Sequence, residues 1–383
     1  MKILNINSYY YSSTVHEKLQ KALMEQPLTL FTYVPVSKGY IARDECQGSK
    51  EKNLTRVECY NKIDRFIFHL KHRKILKNII KKIDINQYDC FHAHSLFSNG
   101  YIAMKTKEKF NKPYIVAVRD TDVNTFFKKM IHLRGLGNQI LKEAAGVVFL
   151  SSSYRNTMID KYVKDKYKDS VLAKSYVIPS GIDKFWLENK GSPKKIESRQ
   201  IKLLSVGAIT KRKNILTTIK VIEILKGKGY HVTLTVVGKV IDKSIYKEIQ
   251  KKHFVKHISL KPKNELLKIY REHDIFVMPS ITETFGLVYP EAMSQGLPVI
   301  YTRGQGFDGQ FNEGEVGYSV RYDSAEEIER RVRDIIENYE AISKNCIAKV
   351  NRFDWDKITN EYINMYLKMN KRNNRINLYK RID

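Results

Sequence analysis

Two glutamates, Glu283 and Glu291, bracket a Phe285-Gly286 pair within the run Pro279 to Pro298. The apolar stretch Ile275-Phe276-Val277-Met278 before them reads as a buried strand, ended by Pro279-Ser280. A helix is predicted from near Phe285-Gly286 over Leu287–Ser294, stopped by Gly296 with Pro298 beyond. Pro290 is compatible with it, because first-turn N–H groups have no intrahelical partner. A helix start at the carboxyl end of a parallel strand aims free N–H groups and a positive dipole end at one spot. That spot suits a pyrophosphate. Gly286 lets a phosphate come close to the backbone. Glu291, one turn inside the helix, is placed to accept from a ribose diol, and Glu283 to meet a sugar. Taken alone, two glutamates at this spacing are more often solvated or helix-capping.

Other segments carry similar chemistry. Val206-Gly207-Ala208-Ile209-Thr210-Lys211-Arg212-Lys213-Asn214 ends a strand in a basic turn. Phe91-His92-Ala93-His94 ends another in two histidines, and Val118-Arg119-Asp120-Thr121-Asp122 follows a third. The loop after the first strand, Asn7 to His16, holds hydroxyls at Ser12, Ser13 and Thr14 and three tyrosines that can stack on a sugar ring or pack. Asp120-Thr121-Asp122 has the form of a metal-binding D-x-D, but it lies in the other half of the chain from Glu283. We read it as coincidence.

These segments, in this order, resemble family 4 glycosyltransferases, the retaining group with the GT-B fold. Glu283 and Glu291 match the family's E-x7-E, with P-S before and E-A-M-x-x-G-x-P after. Val206 to Asn214 is similar to its V-G-R-L-x-x-x-K-N, Phe91 to His94 to its H-x-H, Val118 to Asp122 to its T-H-G-T-D, and Val177 to Asp183 to its I-P-N-G-I-D. The resemblance runs from Met1 to about Tyr366 and is strongest from Val206 to Gly317.

The resemblance implies an α/β, GT-B chain: two Rossmann-like doubly wound domains facing across a cleft. It implies a metal-independent, retaining glycosyltransferase with no cofactor beyond a nucleotide-sugar co-substrate. The donor is a UDP- or GDP-sugar, and the acceptor is a glycan or lipid-linked glycan of cell-surface polysaccharide synthesis. The implied catalytic residues are Glu283, Lys213, His94 and Asp122. Donor binding falls to Gly207, Arg212, Lys213, Glu283, Phe285, Gly286, Leu287, Val288 and Glu291, and acceptor binding to Ser12, Ser13, His94 and Arg119. Lys213 would meet the donor phosphates where charge builds as the glycosidic bond breaks. Three departures stand out: Ala208 replaces the family's Arg, Arg119 and Asp120 replace its His and Gly, and the first loop lacks a Gly-Gly pair. Arg212 or Arg303 would have to supply the charge lost at Ala208.

Positioning these residues takes βαβ units. Lys2–Ile6, Leu28–Val34, Asp89–His94, Pro113–Arg119 and Gly146–Ser151 read as strands, alternating with helices such as Val15–Met24 and Gly100–Phe110. Leu187 to Lys195 is polar, with Gly and Pro, and reads as a linker. The alternation then restarts with strands Ile201–Val206, His231–Val237, Asp274–Met278 and Leu297–Tyr301 and helices Asn214–Lys228 and Ala325–Tyr339. We expect an acceptor domain over 1–187, a nucleotide-sugar domain over 188–365, and a helix end with a basic tail over 366–383.

Charge narrows the partners. Against 41 Asp+Glu stand 68 Lys+Arg, a net +27, which calls for an anionic partner. No zinc-finger spacing, RNP-like motif or helix-turn-helix is present, so no nucleic acid is expected. A basic amphipathic helix, Arg65–Ile83, and the nearby Phe126–Ile131 suit an anionic leaflet, or else an ordinary core helix with a solvated basic face. No signal peptide or membrane span is read, and Cys46, Cys59, Cys90 and Cys346 lack disulfide or metal spacing. The expected location is cytoplasmic, peripheral on the inner face of the membrane. The rival readings are a nucleotide-sugar epimerase of the same fold, a basic nucleic-acid- or membrane-binding protein, and an inactive transferase-like partner subunit.

Overall fold

The computed structural model describes residues 1–12, 14–41, 53–196 and 199–379, with side chains as far as Met369. The chain forms two compact units. Unit 1 holds Met1–Leu150, Arg155–Ile178 and the final helix, and unit 2 holds Ser151–Tyr154 and Pro179–Asp354.

Unit 1 is built on seven strands: β1 Lys2–Ile6, β2 Thr29–Ser37, β3 Leu54–Tyr60, β4 Cys90–Ala93, β5 Tyr114–Ala117, β6 Gly146–Phe149 and β7 Ser175–Val177. They pair in the order β3-β2-β1-β4-β5-β6-β7, every pair parallel. The inner strands are apolar on both faces because helices cover both sides of the sheet. The order reverses at β1, where Leu4 lies between Phe31 of β2 and Phe91 of β4. The loops after β1 and β4 therefore open at a topological switch point, where ligands of doubly wound sheets bind.

Unit 2 repeats the plan with β8 Gln200–Val206, β9 His231–Val237, β10 Val255–Ile258, β11 Ile275–Val277, β12 Val299–Thr302 and β13 Gly317–Val320. Their order, β10-β9-β8-β11-β12-β13, reverses at β8. The Gly207 loop after β8 and the Met278–Glu283 loop after β11 meet at that reversal, since β8 and β11 pair directly.

The division differs from the expected one in two places. First, the expected linker is docked on unit 2. Gly191 donates to the Ser294 carbonyl at 2.9 Å, and Lys194 Nζ caps the helix Lys263–Arg271 by donating to the carbonyls of Arg271 and His273 at 2.7 and 2.6 Å. The chain changes unit near residue 178 rather than at 187. Second, the final helix, Trp355–Tyr379, begins inside the expected nucleotide-sugar domain but belongs to unit 1. Trp355, Ile358, Tyr362, Met365 and Tyr366 bury themselves against Ile3, Leu19, Leu23 and Ile115.

The basic segment also differs from expectation. A tight turn, Lys62–Phe66, precedes a helix confined to Phe68–Lys82, whose apolar stripe of His72, Ile75 and Ile79 is buried in unit 1. No helix among the described residues is long and apolar enough to cross a membrane. Cys90 and Cys346 are buried free thiols, Cys59 is a half-buried one, and Cys46 lies outside the described residues.

Candidate active site

Unit 2 gathers its expected site residues at the β8/β11 switch point. The turn Lys211–Lys213 is locked onto the loop after β11. Ile281 donates to the Arg212 carbonyl at 2.8 Å, and Asn214, held at φ 57°, donates to the carbonyls of Pro279 and Tyr322 at 3.0 and 2.6 Å. The result is a three-membered charge cluster. Glu283 Oε2 accepts from Lys213 Nζ at 2.6 Å and lies 3.3 Å from Arg212 Nη1. The Lys213 and Glu283 side chains are 11% and 10% exposed, whereas Arg212 is half open at 49%. Burial pulls the Lys213 amine below its ordinary value, and Glu283 pushes it back. Two cations against one carboxylate leave net positive charge beside an enclosed lysine and a half-open arginine, which suits an anion. Gly207 sits at φ 154°, which L side chains rarely adopt, and a Cβ there would crowd Lys213 Cε at 3.0 Å.

Beyond Glu283, the helix Val288–Ser294 begins. No described residue accepts a hydrogen bond from the backbone amides of Gly286, Leu287 or Val288. Gly286, at φ 80°, shapes this bend, and a Cβ there would meet the Tyr289 ring at 2.4 Å. Half-buried Glu291, in the first helical turn, faces the Tyr270 hydroxyl at 3.4 Å. Phe285, expected at the donor, instead packs its ring against Phe307 and Phe353, with centroids 5.9 and 5.6 Å away. It offers a ligand its backbone and no side-chain face.

Of the two arginines that could replace the charge missing at Ala208, Arg212 is the one that lies against Glu283. Arg303 is turned to Glu327, 2.5 Å away, and to the Ser319 carbonyl. Gln305 and Asn214 are positioning residues that sequence reasoning missed. Gln305 Oε1 accepts from the Glu283 amide at 2.9 Å and so fixes the carboxylate's loop. The N that ends the matched motif, Asn214, was the available signal for the second.

In unit 1, His94 ends β4 at the other switch point, its amide bonded to the Ile6 carbonyl at 3.1 Å. Its ring stacks on His92 at 4.2 Å and meets His16 edge-on at 5.7 Å. His92 Nδ1 lies 2.7 Å from the Tyr366 hydroxyl. Burial holds His16 and His92 at about 3 and keeps His94 well below the ordinary imidazole range, with Arg119 adding to each. All three rings are therefore neutral at neutral pH, and each keeps one enclosed nitrogen without a partner: His16 Nδ1, His92 Nε2 and His94 Nδ1. Arg119 reaches the His94 carbonyl at 3.5 Å.

Asp122, expected to be catalytic, is held by the backbone around it. It is 1% exposed, and its oxygens accept from the amides of Leu96, Phe97 and Arg119 at 2.9, 3.0 and 2.9 Å. It staples the loop that follows His94, three of its acceptor sites taken by backbone amides. Asp120, the other carboxylate of the D-x-D, accepts from Asn124 at 2.7 Å. Ser12 spends its hydroxyl on the Tyr9 carbonyl at 2.7 Å, and Ser13 lies outside the described residues.

The model of the family glycosyl transferases group 1 matches residues 188–353, the part of the chain that holds this charge cluster and the free amides. This segment belongs to that family. Over its whole length the chain is similar to an uncharacterized glycosyltransferase of Methanocaldococcus jannaschii, 26% identical over 372 residues, covering 93% of this chain and 95% of that protein. It is 28% identical over 242 residues to the capsular polysaccharide biosynthesis glycosyltransferase CapM of Staphylococcus aureus, covering 58% of this chain and 61% of CapM. The solved structure of Anabaena HepE in complex with UDP and glucose superposes with a TM-score of 0.68 at 15% identity, covering 96% of this chain and all of that one. The two parallel sheets are those of the GT-B fold, and the group 1 segment carries Gly207, Arg212 and Lys213 after its first strand, Glu283 on the loop after its fourth, and Glu291 in the helix that follows.

Proposed function

We propose that this group 1 glycosyltransferase is a retaining, metal-independent enzyme that moves a sugar from a UDP- or GDP-sugar to a glycan or lipid-linked glycan in cell-surface polymer synthesis. One observation carries the reading. The open amides of Gly286, Leu287 and Val288 start a helix in the same short segment as Glu283, on which Lys213 and Arg212 converge. Amides and cations together meet the diphosphate, Glu291 accepts from the ribose hydroxyls, and Glu283 faces the sugar. As the bond from the anomeric carbon to the phosphate oxygen breaks, negative charge grows on the diphosphate, where Lys213 and Arg212 stabilise it. The acceptor oxygen bonds to the anomeric carbon on the same face and passes its proton to the departing phosphate. His94, neutral and at its own switch point, orients the acceptor through hydrogen bonds rather than charge. HepE bound to UDP and the polysaccharide role in the CapM name support the donor and acceptor classes.

The test is turnover. Purified protein is incubated with UDP-, GDP-, ADP- and CMP-sugars in the presence of EDTA, and nucleotide release is measured with and without a glycan acceptor. The expected result is diphosphate release from one donor, undiminished by EDTA, with a product of the donor's anomeric configuration. Activity that EDTA abolishes, or an inverted product, would sink the mechanism. Silence with every donor would favour the inactive-subunit reading.

A further inference from the structure

Four large apolar side chains of unit 1 stand in solvent beside lysines and arginines. Ile63, Phe66 and Ile67 are 72%, 90% and 57% exposed, and Ile131 is 65% exposed. They come from two segments, the turn Lys62–Phe66 with the helix start after it, and the turn Ile131–Leu133. The edge-on contact of Phe68 with Phe126, centroids 6.0 Å apart, joins these segments, and Met130 bonds back to the Phe126 carbonyl at 3.0 Å. The helix Phe68–Lys82 has its own apolar stripe buried, so these residues are surplus to the core.

The surrounding charge has one sign. Lys62, Arg65, Lys128 and Lys129 are all exposed. The only carboxylate between Asn61 and Ile83 is Asp64, and it is 3% exposed, gripped by Lys74 at 2.8 Å and by the Asn61 amide at 2.7 Å. Neither segment therefore presents an exposed negative group of its own. A protein partner rewards mixed charge, whereas an anionic bilayer rewards apolar tips ringed by cations.

We propose that Ile63, Phe66, Ile67 and Ile131 enter the boundary between headgroups and acyl chains of an anionic leaflet, while Lys62, Arg65, Lys128 and Lys129 sit on its phosphates. The docking element is thus the turn before the basic helix, not the helix face. The proposal goes beyond the donor-site reading and does not rest on it, so either can fail alone.

Flotation of the full chain with vesicles tests it, comparing phosphatidylcholine alone with phosphatidylcholine plus phosphatidylglycerol, each at low and high salt. The wild type is expected to float with anionic vesicles only, and less at high salt. Phe66→Ser with Ile67→Ser should lower the partition by at least about tenfold. Lys62→Gln, Arg65→Gln, Lys128→Gln and Lys129→Gln together should do the same. Unchanged thermal unfolding of both variants controls for folding. Wild type that stays at the bottom with anionic vesicles, or variants that float as it does, would overturn the proposal. So would a wild-type dimer that Phe66→Ser with Ile67→Ser makes monomeric without any vesicle binding, since the patch would then cover a second copy of the chain.

Discussion

Single residues divide into those that meet a ligand and those that hold others in place. Lys213 and Arg212 both reach Glu283, but only Lys213 is enclosed, so their loss should differ in size. Lys213→Ala should cost about a hundredfold in kcat, and Arg212→Ala about tenfold, as steady-state kinetics would show. Arg303→Ala should change kcat little, because Arg303 is spent on Glu327. An equal loss at Arg303 would mean that the wrong arginine has been placed at the phosphates. Asp122 makes the opposite kind of prediction. Asp122→Asn puts an N–H group where the carboxylate accepts three amides, so Tm should fall by an amount equivalent to about 2–3 kcal/mol. Burial raises the Asp122 carboxyl to about 6 against the pull of those amides. A raised folded pKa means stability is present at low pH and lost as pH rises through it. The gap in Tm between wild type and Asp122→Asn should therefore be wider at pH 5 than at pH 7.5, which are round test values on either side of about 6. A gap that narrows at the lower pH would contradict the assignment. The motif order pointed to Glu283, Lys213 and Glu291 as candidates, and two of them, Lys213 and Glu283, meet in the fold. It could not show that His16 meets His94, or that His92 meets Tyr366 from 274 positions away, because nothing local encodes such contacts.

At the level of elements, the sequence revealed the middle of each sheet and hid its margins. β1 and the helix Gly100–Phe110 fall where the apolar pattern puts them. The four strands that the pattern missed, β3, β7, β10 and β13, are the four sheet edges. An inner parallel strand is covered on both faces and reads as a continuous apolar run, whereas edge strands such as Ser175–Val177 and Val255–Ile258 are short and only half buried. The final helix was visible as a helix, but its home in unit 1 was not, since an amphipathic stripe does not name its partner. Deleting the chain from Trp355 onward should remove at least five buried side chains from the core of unit 1, each stabilising by about 1.5–3 kcal/mol. Limited proteolysis is then expected to degrade unit 1 while a unit 2 fragment survives. Uniform resistance would show that the helix is dispensable. Gly306 offers a finer test of the loop that holds Glu283. A Cβ there would stand 1.7 Å from the Thr284 carbonyl oxygen, so Gly306→Ala should lower Tm and weaken nucleotide binding together.

For the whole molecule, two doubly wound units and a net charge of +27 frame one claim: unit 2 is a nucleoside-diphosphate site made by a basic turn and a helix start. Such a charge attracts any polyanion, and that attraction fades steeply as salt rises. Binding at the proposed site would differ, since directed amide bonds and Glu291 are screened less by salt. The direct measurement is isothermal titration of UDP and GDP, at high salt with EDTA, into wild type, Glu291→Ala and Lys213→Ala. The account predicts one-to-one binding of one of the two nucleotides to wild type, weakened at least about tenfold in each variant. Binding that is indifferent to both substitutions, or no binding of either nucleotide, would contradict it.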